Sequence, residues 1–186
     1  MEIVKTPIHG CYIIKNTLIR DDRGYFFECF NQRKFQELTG WDGQFVQDNQ
    51  SESVYGVVRG LHFQQGDFAQ AKLVRALTGV IVDAVLDLRT ESPSFGQVFS
   101  VELNEVQESQ LFIPRGCAHG FSVISPKATF FYKCDNYYHK ASESGIYPLD
   151  SDLNINWKLD AGDIILSEKD SKALSWAEYK NGPGKV

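Results

Sequence analysis

Short apolar runs broken by turn residues fill the chain from about Asn49 to Tyr138. "KLVRALTG" (72–79) leads into "VIVDAVLDL" (80–88), with Gly79 as the break. "GQVFSVEL" (96–103), "SQLFIP" (109–114), "GFSVIS" (120–125) and "TFFYKCDNYY" (129–138) follow. Runs of this length, rich in β-branched and aromatic residues, predict strands. With no helix-length pattern between them, they predict an antiparallel sandwich or barrel, and a jelly roll fits. Helices are short and flank this region. "NQRKFQELTG" (31–40) predicts one, with Asn31 as N-cap, Phe35 and Leu38 inward and Gly40 past its end. "SEKDSKALSWAEY" (167–179) predicts another, opening on Ser167 and Asp170 in S-x-x-D spacing. "RDDRGYF" reads as an N-terminal hairpin turning at Arg23-Gly24, and the tail "KNGPGKV" as frayed. There is no repeat, low-complexity tract or linker, so residues 1–186 are expected to form one domain.

Composition narrows the function. A formal net charge of −5 argues against general nucleic-acid binding, although a small anionic ligand needs only a local group of Arg and Lys. Cys11, Cys29, Cys117 and Cys134 are scattered, with no C-x-x-C zinc signature. "MEIVKTPIHG" lacks a signal-peptide pattern and no apolar run reaches membrane length, which predicts a soluble cytoplasmic protein with reduced thiols.

Two of the four histidines sit in strand-like surroundings, His62 in "VRGLHFQQG" and His119 in "IPRGCAHGFSV". Either both are quiet core residues, or both point into one cavity. A metal is the first alternative. "PRGCAH" has the P-x-G-x-x-H spacing of a double-stranded β-helix, a cupin, but Gln64 stands where the second His of its H-x-H pair belongs. No Glu follows, and two imidazoles without a carboxylate suit iron or manganese poorly. Proton transfer is the second alternative. An imidazole can act as base near neutrality if a carboxylate fixes its tautomer. Asp83, which alternates with Ile81 and Val85, and Asp170 are the candidates; Asp170 is equally readable as a capping residue.

Arg59, Lys72 and Tyr132 lie in the same apolar strands, where charge is costly unless paired or facing a wet cavity. A cavity lined by Arg, Lys, His and Tyr suits an anionic ligand and acid–base work. Strict alternation would put Arg59 and His62 on opposite faces, unless Gly60 carries a bulge. Cys117 reads as a small buried residue rather than a nucleophile. His9 and His139 have no company that suggests chemistry.

"DDRGYFFE", "FVQDNQS", "VRGLHFQ", "AKLVRALTG", "ESPSFGQ", "IPRGCAHGF", "FYKCDNYY" and "LSEKD", in this order, resemble the dTDP-4-dehydrorhamnose 3,5-epimerases over nearly the whole chain. The resemblance implies a mainly β, cupin-type jelly roll with an N-terminal hairpin and short flanking helices. It also implies a homodimer needing no metal or organic cofactor, whose substrate is dTDP-4-keto-6-deoxyglucose, inverted at C3 and C5. By the same resemblance His62 is the base, Asp170 its orienting partner and Tyr132 the acid on the opposite face. Lys72 stabilises charge on the C4 oxygen, with His119 beside the sugar and Asp83 behind it. Nucleotide contacts fall on Arg23, Glu28, Gln47, Asp48, Asn49 and Arg59, with Glu143 and Lys169 nearer the edge. Tyr138 and Phe26 are expected to pack on thymine or sugar. Arg23 and Glu28 are expected to cross to the partner subunit. Relatives that epimerise only C3 or only C5, a binding-only cupin and a metal-dependent cupin are the competing readings.

Overall fold

A computed structural model describes residues 1–106 and 109–182. The chain opens with strands β1 (Glu2–Lys5), β2 (Tyr12–Lys15), β3 (Ile19–Asp21) and β4 (Gly24–Phe26), then helix α1 (Gln32–Thr39). Next come β5 (Gln47–Val54), β6 (Val58–Gln64), β7 (Lys72–Thr78), β8 (Val80–Asp87), β9 (Val98–Asn104), β10 (Ser109–Ile113), β11 (Cys117–Val123) and β12 (Lys127–Cys134). The short β13 (Glu143–Gly145) and helices α2 (Glu168–Ser171) and α3 (Trp176–Asn181) complete it.

The strands form two main antiparallel sheets, ordered β1-β2-β10-β7-β12-β5 and β13-β6-β11-β8-β9. Together they make the expected mainly β, cupin-type jelly roll. The predicted strands are all present, with shifts at the ends. β11 starts at Cys117, three residues before the expected Gly120, and β12 stops at Cys134, so "DNYY" is not strand. Among the described residues no helix is long and apolar enough to cross a membrane.

Alternation divides the side chains between an inner and two outer faces. Val74 and Ala76 of β7, Ile81 and Val85 of β8, and Phe121 and Val123 of β11 meet Ala128 and Phe130 of β12 inside. Asp83, fully buried, shares this inner face, as its spacing predicted. On the outside, Leu61, Phe63 and Leu86 are covered by Trp157, Trp176 and Tyr179 of the C-terminal segment. Leu73 and Phe112 on the other sheet are covered by Phe35 of α1, with Trp41 and Phe45 beside it. Burying a phenylalanine is worth roughly 1.5–3 kcal/mol, so Phe35 alone is a sizeable anchor for α1.

Asn31 caps α1 by accepting from the Lys34 N–H, and Gly40 ends it at φ 71°. Leu38 departs from expectation: it is 38% exposed, because Phe35 already fills the groove. The helix expected over 167–179 is two helices, since Leu174 bridges to Ile146 and breaks the turn between them. The N-terminal hairpin turns one residue earlier than expected, at Asp22–Arg23, and Gly24 already pairs with Asp21. The Asp21 carboxylate accepts from the Arg23 N–H at 2.9 Å and fixes that turn. The tail expected to fray lies in part at 183–186, outside the described residues, while Lys180 and Asn181 belong to α3.

Candidate active site

The phase of β6 sets the site. His119 of β11 pairs with His62 and Phe121 pairs with Arg59, so Gly60 and Leu61 together oppose the single Gly120. This is a bulge, and it restores Arg59 and His62 to one face while Leu61 turns outward into the core. Gly60 sits at φ 124°, and a Cβ there would lie 2.5 Å from the Gly120 Cα. The alternation objection raised by the sequence is thus removed at the residue expected to remove it.

His62 Nε2 lies 2.5 Å from Asp170 Oδ1, and the imidazole remains about a third exposed, whereas Asp170 is buried. Burial alone would raise the Asp170 carboxyl, but His62, Ser167 and the Gly60 N–H hold it below the usual carboxylate range. An ionised Asp170 accepts the Nε2 hydrogen, and the other ring nitrogen then carries the lone pair. Asp170 also stands at the third position of α2, where its N–H donates to the Oγ of the N-cap Ser167 at 3.0 Å. The cap uses the main chain and leaves the carboxylate for His62.

The second histidine is paired in the same way. His119 Nε2 lies 2.9 and 3.1 Å from the two Asp83 oxygens, and both residues are buried. Burial pushes His119 below the ordinary histidine range and, in contrast to Asp170, pushes the Asp83 carboxyl up. Lys72, at the start of β7, also has its amine pushed down by burial. Its Nζ lies 5.9 Å from the ring centre of Tyr132. Burial pushes the Tyr132 phenol up, so it holds its proton at neutral pH.

These groups bound two chambers. One, of about 290 Å³, is lined by Gln47, Asn49, Gln64, Gln70, Tyr138 and Glu143 among others. The second, of about 190 Å³, is lined by Ser51, Arg59, His119 and Phe130 among others. His62, Lys72 and Tyr132 line both. Arg59 donates from Nε to Ser53 Oγ at 3.0 Å. At the rim, Glu143 accepts from the Tyr138 hydroxyl at 2.9 Å and pairs with Lys169 at 2.5 Å.

Not every expected residue reaches this cleft in one chain. Strand alternation turns Asp48 away from Gln47 and Asn49, and it pairs with Lys133 at 2.8 Å. Arg23 folds back on Asp21, and Glu28 pairs with Lys34 at 2.8 Å, both on or beside the exposed hairpin. Phe26 there is 67% exposed. Ser51 and Gln70 line the cleft but escaped the sequence reading; Gln70, two residues before Lys72, carried no signal beyond a polar residue next to a strand. Cys117 is buried and its thiol is pushed up, in keeping with a structural role. Among the described residues no group of three or more His, Cys, Asp or Glu side chains is placed to hold a metal ion.

The family model for dTDP-4-dehydrorhamnose 3,5-epimerase matches residues 5–178. An enzyme of that name from Escherichia coli K12 is 44% identical over 178 residues, 96% of each chain. The crystal structure of a dTDP-4-dehydrorhamnose 3,5-epimerase from Elizabethkingia anophelis superposes with a TM-score of 0.93 at 52% identity, covering 96% of this chain and 97% of that one. A dTDP-6-deoxy-D-glucose-3,5-epimerase from Legionella pneumophila, solved with dTDP-4-keto-L-rhamnose, gives 0.89 at 44% identity over 94% and 92% of the two chains. With its fold, its two histidine–carboxylate pairs and these likenesses in agreement, the chain belongs to the dTDP-4-dehydrorhamnose 3,5-epimerase family.

Proposed function

We propose that this protein inverts C3 and C5 of dTDP-4-dehydro-6-deoxy-D-glucose to give dTDP-4-dehydro-L-rhamnose. The observation that carries the reading is the lining common to both chambers, where an imidazole oriented by a carboxylate, a lysine amine and a protonated phenol sit together. A ketone at C4 acidifies the hydrogens on both neighbouring carbons. His62 takes such a hydrogen as a proton, the C–H electrons pass into an enolate, and the charge collects on the C4 oxygen. Lys72 faces that oxygen as a fixed positive group. Tyr132 returns a proton to the opposite face of the same carbon. His62 then gives up its proton to solvent and Tyr132 regains one from it, and one such cycle at each carbon gives the product.

Asp170 holds the His62 tautomer throughout. His119, held by Asp83, borders the sugar. Arg59 grips the diphosphate, for which a planar guanidinium is suited. Gln47, Asn49, Tyr138 and Glu143 wall the chamber that takes the rest of the nucleotide, with Lys169 at its edge. Arg23 and Glu28 act in a homodimer, in which each copy offers its N-terminal hairpin to its partner's cleft. The exposed apolar side chains of that hairpin, Ile19, Tyr25 and Phe26, support this assembly.

The test is exchange in D₂O. Purified protein is given dTDP-4-dehydro-6-deoxy-D-glucose and deuterium is followed by NMR. Deuterium at C3 and C5 with formation of the rhamno product is the expected result. Deuterium at one carbon alone would make it a single-site epimerase, and none would remove the reaction.

A further inference from the structure

Three glutamines stitch one short stretch of irregular main chain at the cleft wall. Gln70 Nε2 donates to the Asn136 carbonyl at 2.8 Å. Gln47 Oε1 accepts from the Tyr138 N–H at 3.1 Å. Gln64 Oε1 accepts from the His139 N–H at 2.8 Å, and its Nε2 points at the Phe68 and Tyr137 carbonyls at 3.4 and 3.5 Å. Residues 136–139 belong to neither a strand nor a helix, so their polar main-chain groups need partners from elsewhere.

Gln64 is the centre of this stitching. It is 5% exposed, and a buried amide is costly unless its hydrogen bonds are made. Both ends of the amide are spent on neighbouring main chain, not held out to the cleft. It also stands two residues after His62 on β6, so one strand aims the base and the wall together. The stitched stretch carries Tyr138, whose hydroxyl donates to Glu143. A ring stack of His139 on Phe68, 3.9 Å between centres, closes the other side.

We infer that Gln64 is a positioning residue, which seats Tyr138 at the mouth of the cleft before the sugar nucleotide arrives. The inference rests on the function proposed above. A wall preset in this way spares the ordering cost of binding and acts equally on substrate and transition state. Its loss therefore falls on affinity rather than on the chemical step.

Gln64→Met keeps the length of the side chain and removes its hydrogen bonds. The expected result is a KM about tenfold higher with kcat within about twofold, and a matching loss of dTDP affinity. In a Tyr138→Ala background the same substitution should add nothing, because Gln64 acts only by placing Tyr138. Amide hydrogen exchange at Tyr138 and His139 should quicken, while the β6–β11 pairing stays protected. An unchanged KM, or losses that add in the double variant, would overturn the inference. If the wild type neither turns over the sugar nucleotide nor binds dTDP, the proposed function fails. Amide exchange then still decides the positioning role, and unchanged exchange at 138–139 overturns it. Should the methionine variant not fold, Gln64→Glu keeps the acceptor for His139 and loses the donors. It should give a smaller KM rise, and no rise would count against the inference.

Discussion

His62 and Asp170 are 108 residues apart in sequence, yet Nε2 of one and Oδ1 of the other stand 2.5 Å apart. The contact joins a strand of the jelly roll to a helix of only four residues, α2, whose start is fixed by the Ser167 cap. Asp170→Asn should keep the fold, because the cap uses the main-chain N–H, but lose control of the imidazole tautomer. Turnover should fall about 10²–10⁴-fold, the usual worth of a general base, with dTDP binding little changed. Solvent exchange at wild-type rates in this variant would remove Asp170 from the chemistry.

His62→Ala should suppress deuterium exchange at C3 and C5 alike, since one base serves both carbons. Exchange surviving at either carbon would identify a second base, with His119 the first to suspect.

Tyr132→Phe separates proton removal from proton return. The half-buried phenol is the donor, so the variant should still let C3 or C5 hydrogen be abstracted while product formation falls further. Equal loss of both would contradict the assignment.

Asp87 gives a prediction for stability. Its carboxylate accepts from Arg89 Nε at 2.8 Å, and from Ser92 Oγ and Ser94 Oγ at 2.6 and 2.7 Å. Burial alone would raise this carboxyl, but these hydrogen bonds bring it down to about 2. An unfolded aspartate titrates near about 3.9, so the native state binds this proton less readily. The stabilisation is therefore complete above about pH 4 and is lost as pH falls through about 2. Asp87→Asn should cost about 3 kcal/mol at neutral pH, because Arg89 is left partly buried without its partner. The gap between variant and wild type should close between about pH 4 and 2 in urea unfolding. A gap that persists at pH 2 would mean that packing, not charge, is responsible.

Cysteine reactivity provides a simple check on burial. Cys11 is pushed up to about 12 and Cys134 to about 11 by burial, while Cys29 is exposed. A thiol reagent should find Cys29 at once in native protein and the other three only after denaturation. Rapid reaction at Cys134 would show that the wall behind Lys72 opens.

The strands from Lys72 to Cys134 were legible because their runs are short and rich in β-branched and aromatic residues, and most breaks between them carry glycine or proline. The bulge at Gly60 was legible for a different reason: Arg59 and His62 made sense together only if the strand changed phase between them. Asp170 had two readings: its N–H meets the Ser167 cap, while its carboxylate pairs with His62 rather than closing a capping box. Other features depend on contacts far away in sequence. Leu174 breaks a helix because Ile146 is beside it, and Leu38 stays exposed because Phe35 occupies its place. Gln64 looked like a missing metal ligand, and its bonds to residues 137–139 could not be read from the "HFQ" around it.

The glycine pair at the bulge also bears on how this protein can vary. A side chain on Gly60 would collide with the Gly120 Cα, and one on Gly120 would lie 2.5 Å from the Arg59 carbonyl. Each position is closed by backbone rather than by a side chain that could move aside, so neither can compensate for a change in the other. A library randomised at both positions and selected for turnover should return glycine twice. The cleft can be retuned from its rim, at residues such as Tyr138 or Glu143, but this part of its frame admits no substitution.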